Sequence, residues 1–211
     1  MFALFPPLAA FAALARQDVV ALELGPRYLK RSMLNRYYIQ TAQGPLGLTV
    51  PVEGSQWNVA YGQVRLHYGS DWPRKHLRAL ETAYRPAPFF EEYGPRLALV
   101  LNQRHDYLYQ LSEAALTFCL ERVGLRKKIE IITAEAHPGG QSIRFTPIIT
   151  PDTASDSAPE AMLAYRTVFG AEFDLRVSVL DALFCAGPHR LRAWIQASAS
   201  GGNGSETLAL G

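Results

Sequence analysis

The segment from Asp71 to Phe90 constrains this chain most, because it fixes one helix at both ends and gives it a single inward stripe. Pro73 suits a first helical turn, where its missing N–H is not needed, and Ser70 or Asp71 can cap the start. Pro86 and Pro88 predict an end after Arg85. Between these limits Trp72, His76, Leu80 and Tyr84 recur at i,i+4 spacing and stack along one face. A histidine between a tryptophan and a tyrosine on that face is the leading candidate for chemistry. The competing reading is a core histidine satisfied by a backbone carbonyl.

Other segments place further elements around this helix. Leu8–Arg16 predicts a helix after the Pro6-Pro7 pair, and Val19–Leu24 a short strand. Tyr37–Thr41 and Leu46–Val50 flank Ala42-Gln-Gly-Pro45 and predict a hairpin, and the alternation over Asn58–Tyr68 predicts a further antiparallel strand. Phe89–Leu101 reads as a helix interrupted at Gly94-Pro95. His105–Val123 reads as a stronger one, with Leu108, Leu111, Ala115 and Phe118 facing inward and Gly124 as C-cap. Lys128–Thr133 restores a strand, whereas Ala136–Ser142 and Thr150–Pro159 are turn-rich, so residues 136–159 suggest a mobile lid or an irregular substrate-side loop. Ala161–Phe169 predicts a helix, as does Val177–Phe184 before Gly187-Pro188. Ser178 and Asp181 there have the separation of a capping box, which gives Asp181 a structural role beside an active-site one.

The fold class that follows is α+β: one compact domain over residues 1–196, with an antiparallel or mixed sheet and a helical block, and a disordered tail over 197–211. A length of 211 residues with 48% apolar content supplies one substantial core, and no long linker divides it. The formal charge of +2 argues against a nucleic-acid partner. The basic residues cluster locally instead, as Arg27, Lys30, Arg31 and Arg36 and as Arg74, Lys75 and Arg78, which suits a small anionic ligand or a solvated surface. Cys119 and Cys185 are too few for a disulfide scaffold, so a reducing cytoplasm is expected. Met1–Ala15 is apolar, but Pro6-Pro7 and Arg16 interrupt it short of a membrane span. It reads as a buried segment, with a weak secretion signal as the alternative and no integral membrane association expected.

The candidate site draws on these elements. His76 can exchange a proton with a substrate if a partner fixes its other nitrogen. Trp72 and Tyr84 can offer flat faces to a sugar or base, although aromatics on a helix more often fill a core. Arg31 and Arg36 can fork onto phosphate or carboxylate, Lys30 adds a point charge, and Asn35 can read a hydroxyl or hold a turn. No phosphate loop, dinucleotide fingerprint, HExxH, CxxC pair or serine elbow is present, so neither cofactor nor metal is expected, and His67, His76 and His105 lack ligand spacing. Cys185 stands near Asp181 and His189 but reads as a small buried cysteine rather than a nucleophile.

Five segments together resemble the WbqC-like family, across the chain to about Ile195. They are Phe5-Pro-Pro-Leu with Phe11; Lys30-Arg-Ser32 with Asn35-Arg36; Leu48-Thr-Val-Pro-Val52; Trp72 with His76, Tyr84, Ala87-Pro88 and Phe90; and Ser178-Val-Leu-Asp181 with Leu183-Phe184 and Gly187-Pro188. The resemblance implies that Lys30, Arg31, Asn35, Arg36, Trp72, His76 and Asp181 line one cleft. It also implies a role in bacterial surface-polysaccharide assembly, including O-antigen. The chain departs from the family pattern at Thr167, where glutamine is common, and at Cys185, where asparagine is. The expected function is acyl or aminoacyl transfer to an amino-sugar intermediate, perhaps attached to a nucleotide. His76 would accept the proton and Asp181 would orient a ring or hydroxyl. The alternative is a nonenzymatic protein binding a sugar nucleotide or glycan intermediate.

Overall fold

A computed structural model describes residues 3–29, 32–54, 59–133, 165, 167–170 and 176–200. Their elements in chain order are α1 (Leu8–Ala15), β1 (Val19–Glu23), β2 (Arg36–Thr41), β3 (Gly44–Thr49), α2 (Trp72–Tyr84), α3 (Phe90–Asn102), α4 (Leu108–Arg122), β4 (Lys128–Ile132), α5 (Val179–Cys185) and α6 (Gly187–Ser200), with a 3-10 turn at Tyr61–Gln63. The arrangement is α+β, with a helical block and two small sheets of opposite kind. No helix among the described residues is long and apolar enough to cross a membrane.

The hairpin forms where turn chemistry predicts it. Arg36 pairs with Thr49 and Thr41 with Gly44, and Gly44 sits at φ +102°, a conformation that suits glycine. Thr41 Oγ1 donates to the Gly44 carbonyl at 2.6 Å and closes the turn. The second sheet is parallel: β1 pairs with β4 from Val19↔Lys128 to Glu23↔Ile132. A parallel pair needs a long crossover, and the chain from β2 through α4 supplies it.

The helix over Trp72–Tyr84 lies with its predicted stripe inward, and Trp72, His76, Leu80 and Tyr84 are all buried. It rests on β2 at two places, through His76 to Tyr37 and through Tyr84 to the Gln40 amide. The start of α5 is held between the amino-terminal segment and the same strand, with Ser178 N–H donating to the Tyr38 carbonyl at 2.8 Å and Val179 N–H to the Pro6 carbonyl at 2.9 Å. Thus β2 becomes the common wall for α2 and α5.

Several local expectations are corrected. Neither Ser70 nor Asp71 caps α2; Asp71 takes a left-handed φ of +44° and its carboxylate reaches Arg74 instead. Asn58 lies outside the described residues, and residues 59–68 do not form a regular strand. Tyr61 is drawn inward to donate to Ser112 Oγ at 2.8 Å, and Gly62 N–H bonds the Leu24 carbonyl, which curls the segment into the 3-10 turn. Pro95 does not interrupt α3, which runs through it, and the neighbouring Gly94 packs under the Phe90 ring, which a Cβ there would meet at 3.0 Å. Beyond Gly187-Pro188 the chain continues as α6, an element the sequence reading did not anticipate. Gly187, at φ +82°, admits no side chain because a Cβ would lie 2.5 Å from the Phe89 ring. The expected helix over 161–169 falls mostly outside the described residues, and its described part, 165 and 167–169, is not helical; the 136–159 segment and 201–211 also lie outside them.

Candidate functional site

At the amino-terminal end of α2, His76 is 4% exposed and both ring nitrogens are engaged. Nε2 lies 3.2 Å from the Thr49 carbonyl and Nδ1 3.1 Å from Tyr37 Oη. A carbonyl only accepts, so Nε2 carries the proton and Nδ1 accepts from the phenol. Burial lowers the imidazole pKa from 6.5 to about 4, against the smaller opposing pull of the Thr49 carbonyl, so the ring is neutral at pH 7. Trp72 and Tyr37 pack edge-on to it, with centroids at 5.1 and 5.5 Å.

Thr49 gathers the neighbouring candidates. Its Oγ1 accepts from Arg36 Nε at 2.8 Å, while Asn35 Nδ2 donates to the next carbonyl, Val50, at 2.8 Å. Val50 N–H returns a bond to the Asn35 carbonyl. Asn35 therefore holds the mouth of the hairpin, and the half-buried Arg36 keeps its terminal guanidinium nitrogens without hydrogen-bond partners among the described residues. Trp72 is buried with its indole Nε1 unpartnered. Lys30 and Arg31, expected beside them, lie outside the described residues.

The other end of α2 carries a different arrangement. From His76 to Tyr84 the helix advances about 12 Å, and there Tyr84 borders Asp181 of α5. Asp181 is fully enclosed; its Oδ2 accepts a short hydrogen bond from Tyr165 Oη, while Oδ1 has no partner among the described residues. Burial raises the carboxyl pKa, and the Tyr165 and Tyr84 phenols hold part of that rise back. Burial, followed by the nearby carboxylate, pushes both phenols well above their ordinary value. Three more buried polar oxygens of this end of β2, of the α5 cap and of the neighbouring turn lack partners: Gln40 Oε1, Ser178 Oγ and Thr167 Oγ1. The expected capping box is absent, since Ser178 makes no side-chain cap and Asp181 turns to Tyr165 instead.

The structure thus gathers Asn35, Arg36, Trp72 and His76 at one end of α2, and Tyr84 with Asp181 at the other. Cys185 is next to Asp181, with a thiol pushed up to about 12 by burial and then by the carboxylate, so it is not a nucleophile at neutral pH. Tyr37, Gln40 and Tyr165 were not anticipated. Tyr37 shares the inward phase of β2 with Ile39, a signal available in the alternation; Gln40 is buried out of phase and gives none. Among the described residues no three His, Cys, Asp or Glu side chains gather as a metal would need. Two surface cavities lined by described residues lie elsewhere, along α4.

Comparison with known proteins bears on this architecture. An uncharacterized protein of Mycobacterium tuberculosis (strain ATCC 25618 / H37Rv), Rv1507c, is 33% identical over 104 residues, covering 49% of this chain and 45% of that protein, so the likeness spans about half of the relative's length. No solved structure matches. The model of the WbqC-like protein family matches residues 3–151, which takes in α1 through β4 and the whole His76 end but stops before α5. On that match this chain belongs to the WbqC-like protein family.

Proposed function

We propose that this chain is a cytoplasmic protein of surface-glycan assembly that receives an amino sugar in the Asp181 recess and transfers an acyl or aminoacyl group to its amine. The observation that carries the reading is Asp181 Oδ1, buried and without a partner among the described residues, with buried oxygens of Gln40, Ser178 and Thr167 likewise unpartnered there. Folded proteins rarely leave such groups unmet, and each costs on the order of 1–3 kcal/mol when it is. Asp181 Oδ1 and Gln40 Oε1 only accept while the carboxylate is ionised, so the fitting occupant presents donors. An amine flanked by hydroxyls has that character.

In the proposed step the sugar nitrogen attacks the donor's carbonyl carbon. The new C–N bond forms as the bond from that carbonyl to its carrier breaks; the carrier leaves with the electron pair, and the nitrogen's proton passes to Asp181. Tyr165 holds the carboxylate in place. His76, with both nitrogens occupied, positions β2 beneath α2 rather than taking the proton, and Arg36 turns its unpaired nitrogens toward the donor's anionic carrier.

The engagement of His76 also favours a second reading, nonenzymatic retention of the same sugar. Calorimetry with a 2-amino sugar and its N-acetyl counterpart tests the recess: the free amine binds at least about tenfold more tightly, and Asp181→Asn abolishes the preference. Equal affinity for the two sugars, or an unchanged preference in the variant, defeats the reading. Mass spectrometry of the bound amino sugar after incubation with a cytoplasmic extract then separates the two readings, since transfer adds an acyl mass and retention does not.

A further inference from the structure

We infer that the turn from α4 into β4 is a second binding site, built for a phosphorylated small molecule that carries an apolar or planar body. The cavity there is about 630 Å³, within the range that holds small-molecule ligands. Arg122, Arg126 and Lys127 supply three positive charges to its lining against one negative charge, Glu121. Leu125 and Ile129 supply an apolar wall beside them. That pairing suits an anion attached to something less polar and not an anion alone.

Arg126 is left uncommitted among the described residues, and the pairings of Arg122 with Glu121 and of Lys127 with Asp18 are partly exposed to water. α4 ends in a left-handed Gly124, at φ +73°, with Gly124 N–H bonding the Glu121 carbonyl and Leu125 N–H the Leu120 carbonyl. This closure satisfies the helix's last carbonyls through the backbone, so no basic side chain is needed to cap them. Arg122 is fixed instead by its neighbours: its terminal nitrogen bonds Glu121 at 3.2 Å and its guanidinium lies 5.9 Å over the Phe118 ring. Its Nε is enclosed and without a partner among the described residues, so what Arg122 offers the cavity is the charge of a guanidinium held in place at its wall. Arg126 is exposed and without a partner among the described residues. Lys127, its own side chain largely covered, has among the described residues one ion pair, to the fully exposed Asp18 carboxylate at 3.9 Å, which holds it weakly.

None of these residues belongs to the Asp181 recess or to the His76 end, so the inference stands apart from the proposed transfer. The test is calorimetric titration at low salt with adenosine diphosphate and with inorganic pyrophosphate, on the full chain and on two variants. Adenosine diphosphate is expected to bind at least about tenfold more tightly than pyrophosphate, with a Kd below about 1 mM that weakens as salt is added. Arg126→Gln combined with Lys127→Gln weakens that binding by about tenfold or more at an unchanged thermal midpoint, and Asp181→Asn leaves it as in the native chain. Equal affinity for the two probes overturns the mixed-ligand assignment. Unaltered binding in the double variant, or no binding by about 1 mM, overturns the site. Loss of binding in Asp181→Asn would make it part of the recess and overturn its independence.

Discussion

The two ends of α2 solve the problem of burying polarity in opposite ways. At the His76 end the imidazole has a partner for each nitrogen, yet the backbone around it is strained: Phe5, whose ring packs on Tyr37 at 4.9 Å, and Asp71, which precedes α2, are the non-glycine residues with positive φ among those described. At the Asp181 end those residues show no such strain, but four oxygens go unmet. Strained backbone around a fully partnered imidazole marks a junction that the surrounding packing holds in place, even with the adjoining Trp72 Nε1 unpartnered among the described residues. Relaxed backbone with unsatisfied oxygens is the feature on which the proposed amino-sugar site rests. The lesson is that the residue most conspicuous in the sequence, His76, has both nitrogens engaged, whereas the carboxylate with an oxygen unpartnered among the described residues, Asp181, lies two turns further along and on another helix.

The largest expected effect separates these roles by stability. His76→Ala removes two buried hydrogen bonds and opens a hole between Trp72 and Tyr37, so it costs about 3–4 kcal/mol in denaturant unfolding. Asp181→Asn relieves a buried carboxyl and changes stability by less than about 1 kcal/mol, while abolishing selectivity for the free amine. If the two variants lose comparable stability, the contrast between anchor and vacancy is broken.

Acid titration sharpens the contrast because the two groups have opposite signs. The folded state holds the His76 pKa at about 4 against 6.5, so the unfolded chain binds its proton first, and stability is full above pH 6.5 and lost as pH falls toward 4. The shift corresponds to a loss of at most about 3 kcal/mol, which His76→Gln removes from the profile. Asp181 has a raised pKa, so its contribution is present below the unfolded value of 3.8 and is lost as pH rises through the folded one. The stability of Asp181→Asn relative to the native chain therefore increases with pH. Unfolding curves measured from pH 4 to 8 check both, and matching slopes for the two variants would remove the distinction.

Tyr165→Phe gives a smaller effect, about 2 kcal/mol, because it removes the hydroxyl that donates to Asp181 Oδ2 and keeps the ring beside Trp194. The Asp181 pKa rises further in this variant, which carboxyl titration by nuclear magnetic resonance reads directly. An unchanged titration would mean that Tyr165 does not steady the carboxylate.

Periodicity and turn chemistry made much of this legible. The i,i+4 stripe located the buried face of α2, Pro86 and Pro88 located its end, and Gly124 located the end of α4. The family resemblance implied that Arg36 and His76 share a neighbourhood, and both contact Thr49, Arg36 through Oγ1 and His76 through the carbonyl. What it did not convey is long-range partnership. The i,i+4 rule places His76 above Trp72, but nothing local says that Tyr37, 39 residues earlier, will take Nδ1. Asp181 met a plausible local rule, the capping box, and departed from it because Tyr165 offered a stronger bond inside a closed space. Helix α6 escaped because Gly187-Pro188 resembles a stop; it is a start, with proline in the first turn and glycine pressed against Phe89.

The smallest expected effect is the most discriminating for the vacancy itself. An N-cap serine replaced by alanine ordinarily costs about 1 kcal/mol, because its oxygen holds a backbone N–H at the first turn. Ser178 stands at the N-cap of α5 without making that bond, and its hydroxyl is buried with no partner. Ser178→Ala therefore costs no more than about 0.5 kcal/mol, and it can gain slightly, since an unmet polar oxygen leaves the core. The same variant should weaken free-amine sugar binding, by about three- to tenfold for one neutral hydrogen bond. A full capping penalty with binding untouched would assign Ser178 to the helix and shrink the recess to the Asp181 carboxylate and its two phenols.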